Sequence, residues 1–346
     1  MRDALNFYGK PDLRTAGLIL LLGALAGFTG GCGKTEAPAA AGTAKPLTKV
    51  VLQTDWFAEP EHGGFYQALV KGYYRDAGLD VEIHQGGPST RPQQMVASDQ
   101  ADFAIGRSDE IMLYASRGVP VVMVGAYMQR DPQAIMFHEE SGIHAFKDLA
   151  GRNIMAVPGS AFITILENTF HLKVAVTPSD FGMNRFLADN NFVQQCFVTN
   201  EPFYVRRAGA HVGVLLLSDS GFSPYRVWYT RRALIDEHPD VVRAFTAASI
   251  RGWRDYSGGD HAAANALIAS LNPKMEPAFM DFSVQAMQHY HLVTGDPAAG
   301  EGVGRISGAR IARLISQLAG IGMLDHPLRV EDVYDARFQP ADAAAP

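Results

Sequence analysis

From residue 49 onward, short β-rich runs alternate with helix-patterned stretches, which restricts the chain to an α/β fold with mostly parallel sheets. KVVLQTDW reads as a strand. The following GGFYQALVKGYYRDAGL is helical, with Phe65, Leu69 and Tyr73 on one stripe. VEIHQG, ADFAIG and VPVVMVGAYM read as strands, separated by PQQMVASDQ and SDEIMLYASRG as helices. A second series begins near residue 140. There DLAGRNIMAVPGS is a strand entering a loop, residues 161–171 and FGMNRFLADN are helices, and FVQQCFVTN and HVGVLLLS are strands. After SPYRVWYTRR the character changes to amphipathic helices over residues 239–323. Two such series predict two lobes joined by crossing segments near 135–140 and 222–230, with the cleft between them as the default ligand site.

The N-terminus stands apart from this pattern. Arg2, Lys10 and Arg14 precede the apolar run AGLILLLGALAGF, whose length and flanks suit a signal peptide over residues 1–31. The run ends in TGGC, which resembles a bacterial lipobox and makes Cys32 the expected lipidation site and membrane anchor. Thr29 departs from the aliphatic residue usual there, and a plain signal peptide releasing a soluble secreted protein is the alternative. Residues 32–48 are small, polar and proline-containing, as a flexible tether should be. Cys196 is the second of two cysteines, so a lipidated Cys32 leaves no intrachain disulfide.

Hydrophobic residues make up 47% and charged residues 19%, a globular balance. A net charge of −6 without any basic block excludes a nucleic-acid binder. Walker A, GxSxG and HExxH sequences are absent, and GEGVG at 300–304 follows no strand, so it is no dinucleotide loop. His289 and His291 are two apart and point away from each other on a helix, and no metal site is expected. Cys196 lies in an apolar strand, where thiols are usually inert.

Four stretches carry a family resemblance: DWFAEPEHGGFYQALVKGYYRDAGLDVEI, ADFAIGRSDEIMLYASRGVPVVMVGA, GMNRFLADNNFVQQCFVTNEP and WYTRRALIDEHPDVVRAFTAASIRGWRDY. Together they make residues 50–255 resemble the NMT1/THI5-like family. The resemblance implies a two-lobed, type II periplasmic-binding-protein fold with the first lobe assembled from both ends. The expected parts are residues 49–137 and 227–338 for that lobe with the C-terminal helices, 138–226 for the second, and a disordered tail at 339–346. It also implies a periplasmic solute-binding protein that hands a small molecule to an ABC permease and ATPase. A flat heteroaromatic such as a thiamin pyrimidine precursor is the expected ligand. A sensory or scaffold protein of the same fold is the alternative.

The family also contains pyrimidine synthases, which carry a pyridoxal phosphate lysine four residues after the Asp of the ADF-like segment and a histidine four residues further on. Those places hold Gly106 and Glu110 here, and SGFSPY stands where the synthase has a cysteine cluster. Gly106 has no amine for a Schiff base and Glu110 no imidazole, so an enzyme and a bound cofactor are not expected.

Trp56 and His62 keep the family's spacing, and Trp56 ends a strand, where its face can stack on a flat ring rather than fill the core. Asp55 can accept hydrogen bonds from ring amines or cap the loop. His62 can contact ligand or cap the next helix, at whose start Gly63 and Gly64 leave amides approachable. Tyr66, one turn on, faces either pocket or core. Arg107 and Ser108 follow ADFAIG, though Ser108 can equally cap a helix. In the second lobe the expected contacts are Gly159 and Ser160, with Phe162 as a second aromatic wall. Glu201 in TNEP is expected to pair with an aminopyrimidine edge, or else to form a hinge salt bridge with Arg206 or Arg207. Tyr225 is placed to close over the ligand.

Overall fold

The structure, a computed structural model, describes residues 46–340. The expected signal peptide, Cys32, most of the tether and most of the tail lie outside the described residues. Among the described residues, ten strands form two five-stranded sheets. The first contains β1 (Thr48–Gln53), β2 (Leu79–His84), β3 (Phe103–Arg107), β4 (Val121–Met128) and β10 (Arg226–Arg231), in the order β2-β1-β3-β10-β4. The second contains β5 (Gln133–His138), β6 (Asn153–Ala156), β7 (Ala175–Pro178), β8 (Val193–Phe197) and β9 (Val212–Leu216), in the order β7-β6-β8-β5-β9.

The chain therefore crosses twice: out at residues 129–132 and back through residues 217–225. The outward crossing comes earlier than the expected 135–140, because Gln133–His138 is a wholly buried strand inside the second sheet. Residues 133–137, expected in the first lobe, thus pair in the second. Arg226, expected to end the second lobe, opens β10 in the first.

The expectation of mostly parallel sheets needs correction as well. β1 runs parallel to β2 and β3, and β6 to β7 and β8. β10 is antiparallel to both neighbours, and so is β5. The cause is the crossing itself. β5 and β10 are the strands by which the chain enters each sheet from the other, without a covering helix to reverse its direction.

β4 is an edge strand by pairing, yet all eight residues are buried. Its free side is covered by the C-terminal segment, where Tyr334 bridges Met123 and the Asp335 amide donates to the Met123 carbonyl. Such cover removes the unpaired edge that invites aggregation.

The amphipathic helix Pro239–Gly258 packs on the helix Gly63–Val70, and glycine permits the contact from both sides. A Cβ on Gly252 would lie 2.2 Å from the Gly64 carbonyl oxygen, and one on Gly64 would lie 2.2 Å from the Trp253 ring. Phe103, Phe245 and Tyr74 continue the core as a stack, with centroids 3.9 and 5.4 Å apart.

Candidate functional site

Charged side chains gather where the C-terminal end of the first sheet meets the crossings. They come from the segment after β1, the end of β3, the outward crossing and the first residue of β10. Arg226 is the centre. It is 5% exposed, and its Nη2 lies 2.6 Å from Asp55 Oδ2. Its Nε donates to the Tyr127 hydroxyl at 3.1 Å, and the rings of Tyr127 and Phe197 lie about its guanidinium at 6.0 and 5.9 Å.

His62, fully buried, brings Nε2 to 3.3 Å from Asp55 Oδ1, an ion-pair distance without hydrogen-bond alignment. Burial acts to raise the Asp55 carboxyl, but Arg226 and then His62 outweigh it and hold it at about 2. Arg107 is also buried. Asp109 grips it through Nε at 3.1 Å and Nη2 at 2.8 Å, Gln133 accepts from Nη1, and Asp131 lies 3.6 Å away.

Around these two cations sit more carboxyls than they can pair. Burial first, then Glu61 and Asp55, pushes Glu59 well up. Burial raises Glu61 to about 7 against the pull of Arg226. Glu110, though part of its side chain is open to solvent, also rises to about 7, because desolvation of its carboxyl first, then Asp109 and Asp55, outweigh Arg107 and Arg226. Glu61 Oε1 accepts from the Thr199 hydroxyl, a bond from the first lobe to the second.

A second contact between the lobes is aromatic. The half-buried Trp56 ring lies 5.8 Å from Phe181, tilted by 39°, with Phe57 edge-on at 5.5 Å. Phe181 is 63% exposed and holds φ at 57°. A left-handed backbone at a bulky residue costs of order 1 kcal/mol.

The structure thus brings Asp55, Trp56, His62 and Arg107 together. It places Glu201 at the first turn of the helix Glu201–Arg207, with Oε2 accepting the Phe197 amide at 2.8 Å. No ion pair with Arg206 or Arg207 forms: Arg207 binds Glu276, and Arg206 bonds the Val212 carbonyl. Burial raises the carboxyl, against the pull of the Phe197 and Glu201 backbone amides.

Other expected residues are engaged elsewhere. A Cβ on Gly63 would lie 2.1 Å from the Tyr256 ring, so this glycine serves helix packing rather than ligand approach. Tyr66 is fully buried in the core, with its hydroxyl unpartnered. Ser108 Oγ accepts the Tyr225 amide and stitches helix Ser108–Ser116 to β10, instead of capping a helix or meeting a ligand. Tyr225 is 1% exposed beneath the Arg310 guanidinium, 3.8 Å from its ring, and its hydroxyl accepts from the Ser307 amide. It cannot close over a cleft. Phe162 is a core residue of the second lobe at 1% exposure, and Phe181 takes the place foreseen for it opposite Trp56. Gly159 is exposed with φ at 77°, and Ser160 Oγ donates to the Val157 carbonyl.

Sequence reasoning passed over Arg226, Glu59, Glu61, Phe181 and Thr199. Arg226 left a signal, a charged residue opening the otherwise apolar run VWYT at the return crossing. A cavity of about 560 Å³ beside helix Pro92–Ala97 and one of about 300 Å³ beside Tyr256 include none of the expected site residues. Among the described residues, no group of three or more His, Cys, Asp or Glu is set to hold a metal ion. No helix there is long and apolar enough to cross a membrane.

Comparison with known proteins supplies the context. The sequence model of a family described as NMT1/THI5 like matches residues 59–258. The chain is 26% identical over 322 residues to a riboflavin-binding protein, RibY, of Chloroflexus aurantiacus, covering 88% of this chain and 91% of that one. It is 22% identical over 255 residues to a formylaminopyrimidine-binding protein of Halalkalibacterium halodurans, covering 70% and 76% respectively. Among solved structures, a putative periplasmic sulfonate-binding protein, SsuA, of Methylobacillus flagellatus superposes with a TM-score of 0.62 at 12% identity. That match covers 85% of this chain and 93% of the other.

Proposed function

Because the chain belongs to the NMT1/THI5-like family and has its two-lobed, type II periplasmic-binding-protein fold, we propose that it captures a flat heteroaromatic solute between the lobes outside the cytoplasm. It delivers that solute to an ABC permease and ATPase, tethered by a lipid on Cys32. The observation that carries this reading is the Trp56–Phe181 pair across the two lobes, beside an Asp55 carboxylate held ionised by a buried arginine.

At 5.8 Å the two rings touch each other. A planar ligand between them needs two van der Waals spacings of about 3.5 Å, so the lobes part by roughly 1 Å to admit it and close on its faces. The edge of that ligand meets acceptors: Glu201 from the second lobe and Asp55 from the first. Acceptor-rich walls favour rings carrying N–H groups, such as an aminopyrimidine or the flavin uracil edge, and disfavour sulfonates. Both named relatives bind rings of these kinds.

A synthase-type reaction has no support in the site, since Gly106 lies on β3 without an amine. Calorimetry with aminopyrimidines, flavins and alkanesulfonates tests the reading. Binding of a ring compound that Trp56→Ala weakens by about 1–3 kcal/mol, and Glu201→Gln by a similar amount, is expected. Tight binding of a sulfonate, indifferent to both substitutions, would overturn it.

A further inference from the structure

The place of Gly106 holds more than an absence. Gly106 shares the sheet face covered by helices Pro92–Ala97 and Ser108–Ser116. A Cβ there would lie 3.5 Å from Tyr229 Cε1, 3.8 Å from Gln93 Nε2 and 3.9 Å from Glu110 Oε2. These are ordinary contact distances, so the missing side chain leaves a niche of about methyl size with a ring edge, an amide and a carboxyl on its walls.

None of the three polar groups is hydrogen-bonded to another described residue, and the Tyr229 hydroxyl is also shut off from water. Tyr229 is fully buried, and its hydroxyl makes no hydrogen bond. Gln93 is 6% exposed, and its side-chain amide bonds no other described residue. Glu110 faces solvent without a partner, within electrostatic range of Asp55 and Arg226. A buried hydroxyl left unsatisfied costs about 1–3 kcal/mol, so the Tyr229 hydroxyl beside this vacancy lacks a partner it would be expected to have, while Gln93 and Glu110 are open to water.

We propose that Gly106, Gln93, Glu110 and Tyr229 form a subsite of the cleft that takes a carboxamide-like substituent, a carbonyl oxygen and an N–H on one carbon. The carbonyl accepts from Tyr229 O–H and Gln93 N–H, and the N–H donates to Glu110. Burial keeps Tyr229 in its neutral, donating form. At pH 8, the condition of the titration below, Glu110 is ionised, and a carboxylate in the niche meets a like charge and has no proton to give it. An ammonium meets Glu110 but offers nothing for the two donors to bind. The subsite rests on the cleft being the ligand site, but it does not depend on which ring the ligand carries.

The test therefore uses the substituent alone. Protein with tyrosine ring carbons labelled is titrated at pH 8 with acetamide, acetate and methylammonium, and Tyr229→Phe identifies the Tyr229 signal. Acetamide should move that signal saturably, with acetate and methylammonium at least about tenfold weaker. Gly106→Ala, whose methyl fits without clash, should abolish the response while melting close to wild type, and Gln93→Leu should weaken it. An unmoved Tyr229 signal, an undiminished response in both variants, or acetate binding as well as acetamide would overturn the subsite. Absence of any ring binding alongside an intact acetamide response would instead overturn the heteroaromatic reading alone.

Discussion

Replacing Asp55 by Asn tests whether the charged centre holds the empty protein together. At 2.6 Å the Asp55–Arg226 attraction is about 6 kcal/mol for an effective dielectric of 20, before the cost of burying both groups. What survives that cost is smaller. Holding the carboxyl at about 2, against an ordinary 3.8, corresponds to roughly 2.5 kcal/mol. Deletion costs more than the pair contributes, because Arg226 loses its close ion-pair partner and keeps a buried charge on which Asp131 and Glu61 act only from further off. About 3–5 kcal/mol is expected, lowering the first thermal transition by roughly 8–15 °C.

The pH dependence has a defined sign. A carboxyl lowered by folding contributes stability above its ordinary value and loses it as pH falls through about 2. The gap between wild type and Asp55→Asn should thus be full from pH 5 to 8 and close near pH 2. Adding Arg226→Met to Asp55→Asn removes the stranded charge and should recover much of the loss. Scanning calorimetry of the four proteins across this range decides the matter. A single variant melting within about 1 °C of wild type at pH 7, or a double variant no better than the single, refutes the reasoning.

Phe181→Ala should weaken ring binding by about 1–2 kcal/mol and leave the apo melting temperature unchanged or slightly higher, since φ of 57° is easier for a smaller side chain; calorimetry and melting check both. Glu61 is raised by folding to about 7, so it favours the folded state below its ordinary 4.5 and loses that contribution as pH rises through 7. Glu61→Gln should therefore flatten the decline in melting temperature between pH 5 and 8, a difference of about 3 kcal/mol at its largest. Mass spectrometry of membrane-extracted protein should find a mature chain beginning at a lipidated Cys32, and an unmodified Cys32 in the soluble fraction would count against the anchor.

Strands that were apolar runs between turn residues, such as VPVVMVGAYM, were legible because burial on both faces writes itself as hydrophobic continuity. QAIMFH was not, although it is equally buried. Its polar ends are satisfied by specific partners, Gln133 by Arg107 and His138 by the Phe186 carbonyl, and such pairing leaves no trace in a hydrophobicity pattern. AVTP of β7 is a largely exposed edge strand with no pattern to read.

The site divided the same way. Trp56 and His62 could be found from a strand end and a spacing. Gly63 and Gly64 were misjudged because the side chains that require them, Tyr256 and Trp253, lie on a helix from the far end of the chain. Phe162 and Phe181 are indistinguishable as letters. Only tertiary packing decides that one fills a core and the other stands at 63% exposure facing Trp56.

The position of β10 has a consequence for synthesis. The ribosome delivers β1 to β4 first, but β3 and β4 do not pair with each other; the strand between them is made only after the whole second sheet. Until Arg226–Arg231 emerges, the nascent first lobe carries two open hydrogen-bonding edges in its middle, while residues 133–216 hold every strand of the second sheet and can fold as a contiguous unit. Closing the first lobe then requires threading one strand into a gap from a distant part of the chain, a slow step with high loop entropy. The gap also keeps the polypeptide from locking early, so the first lobe stays open until its last strand is made.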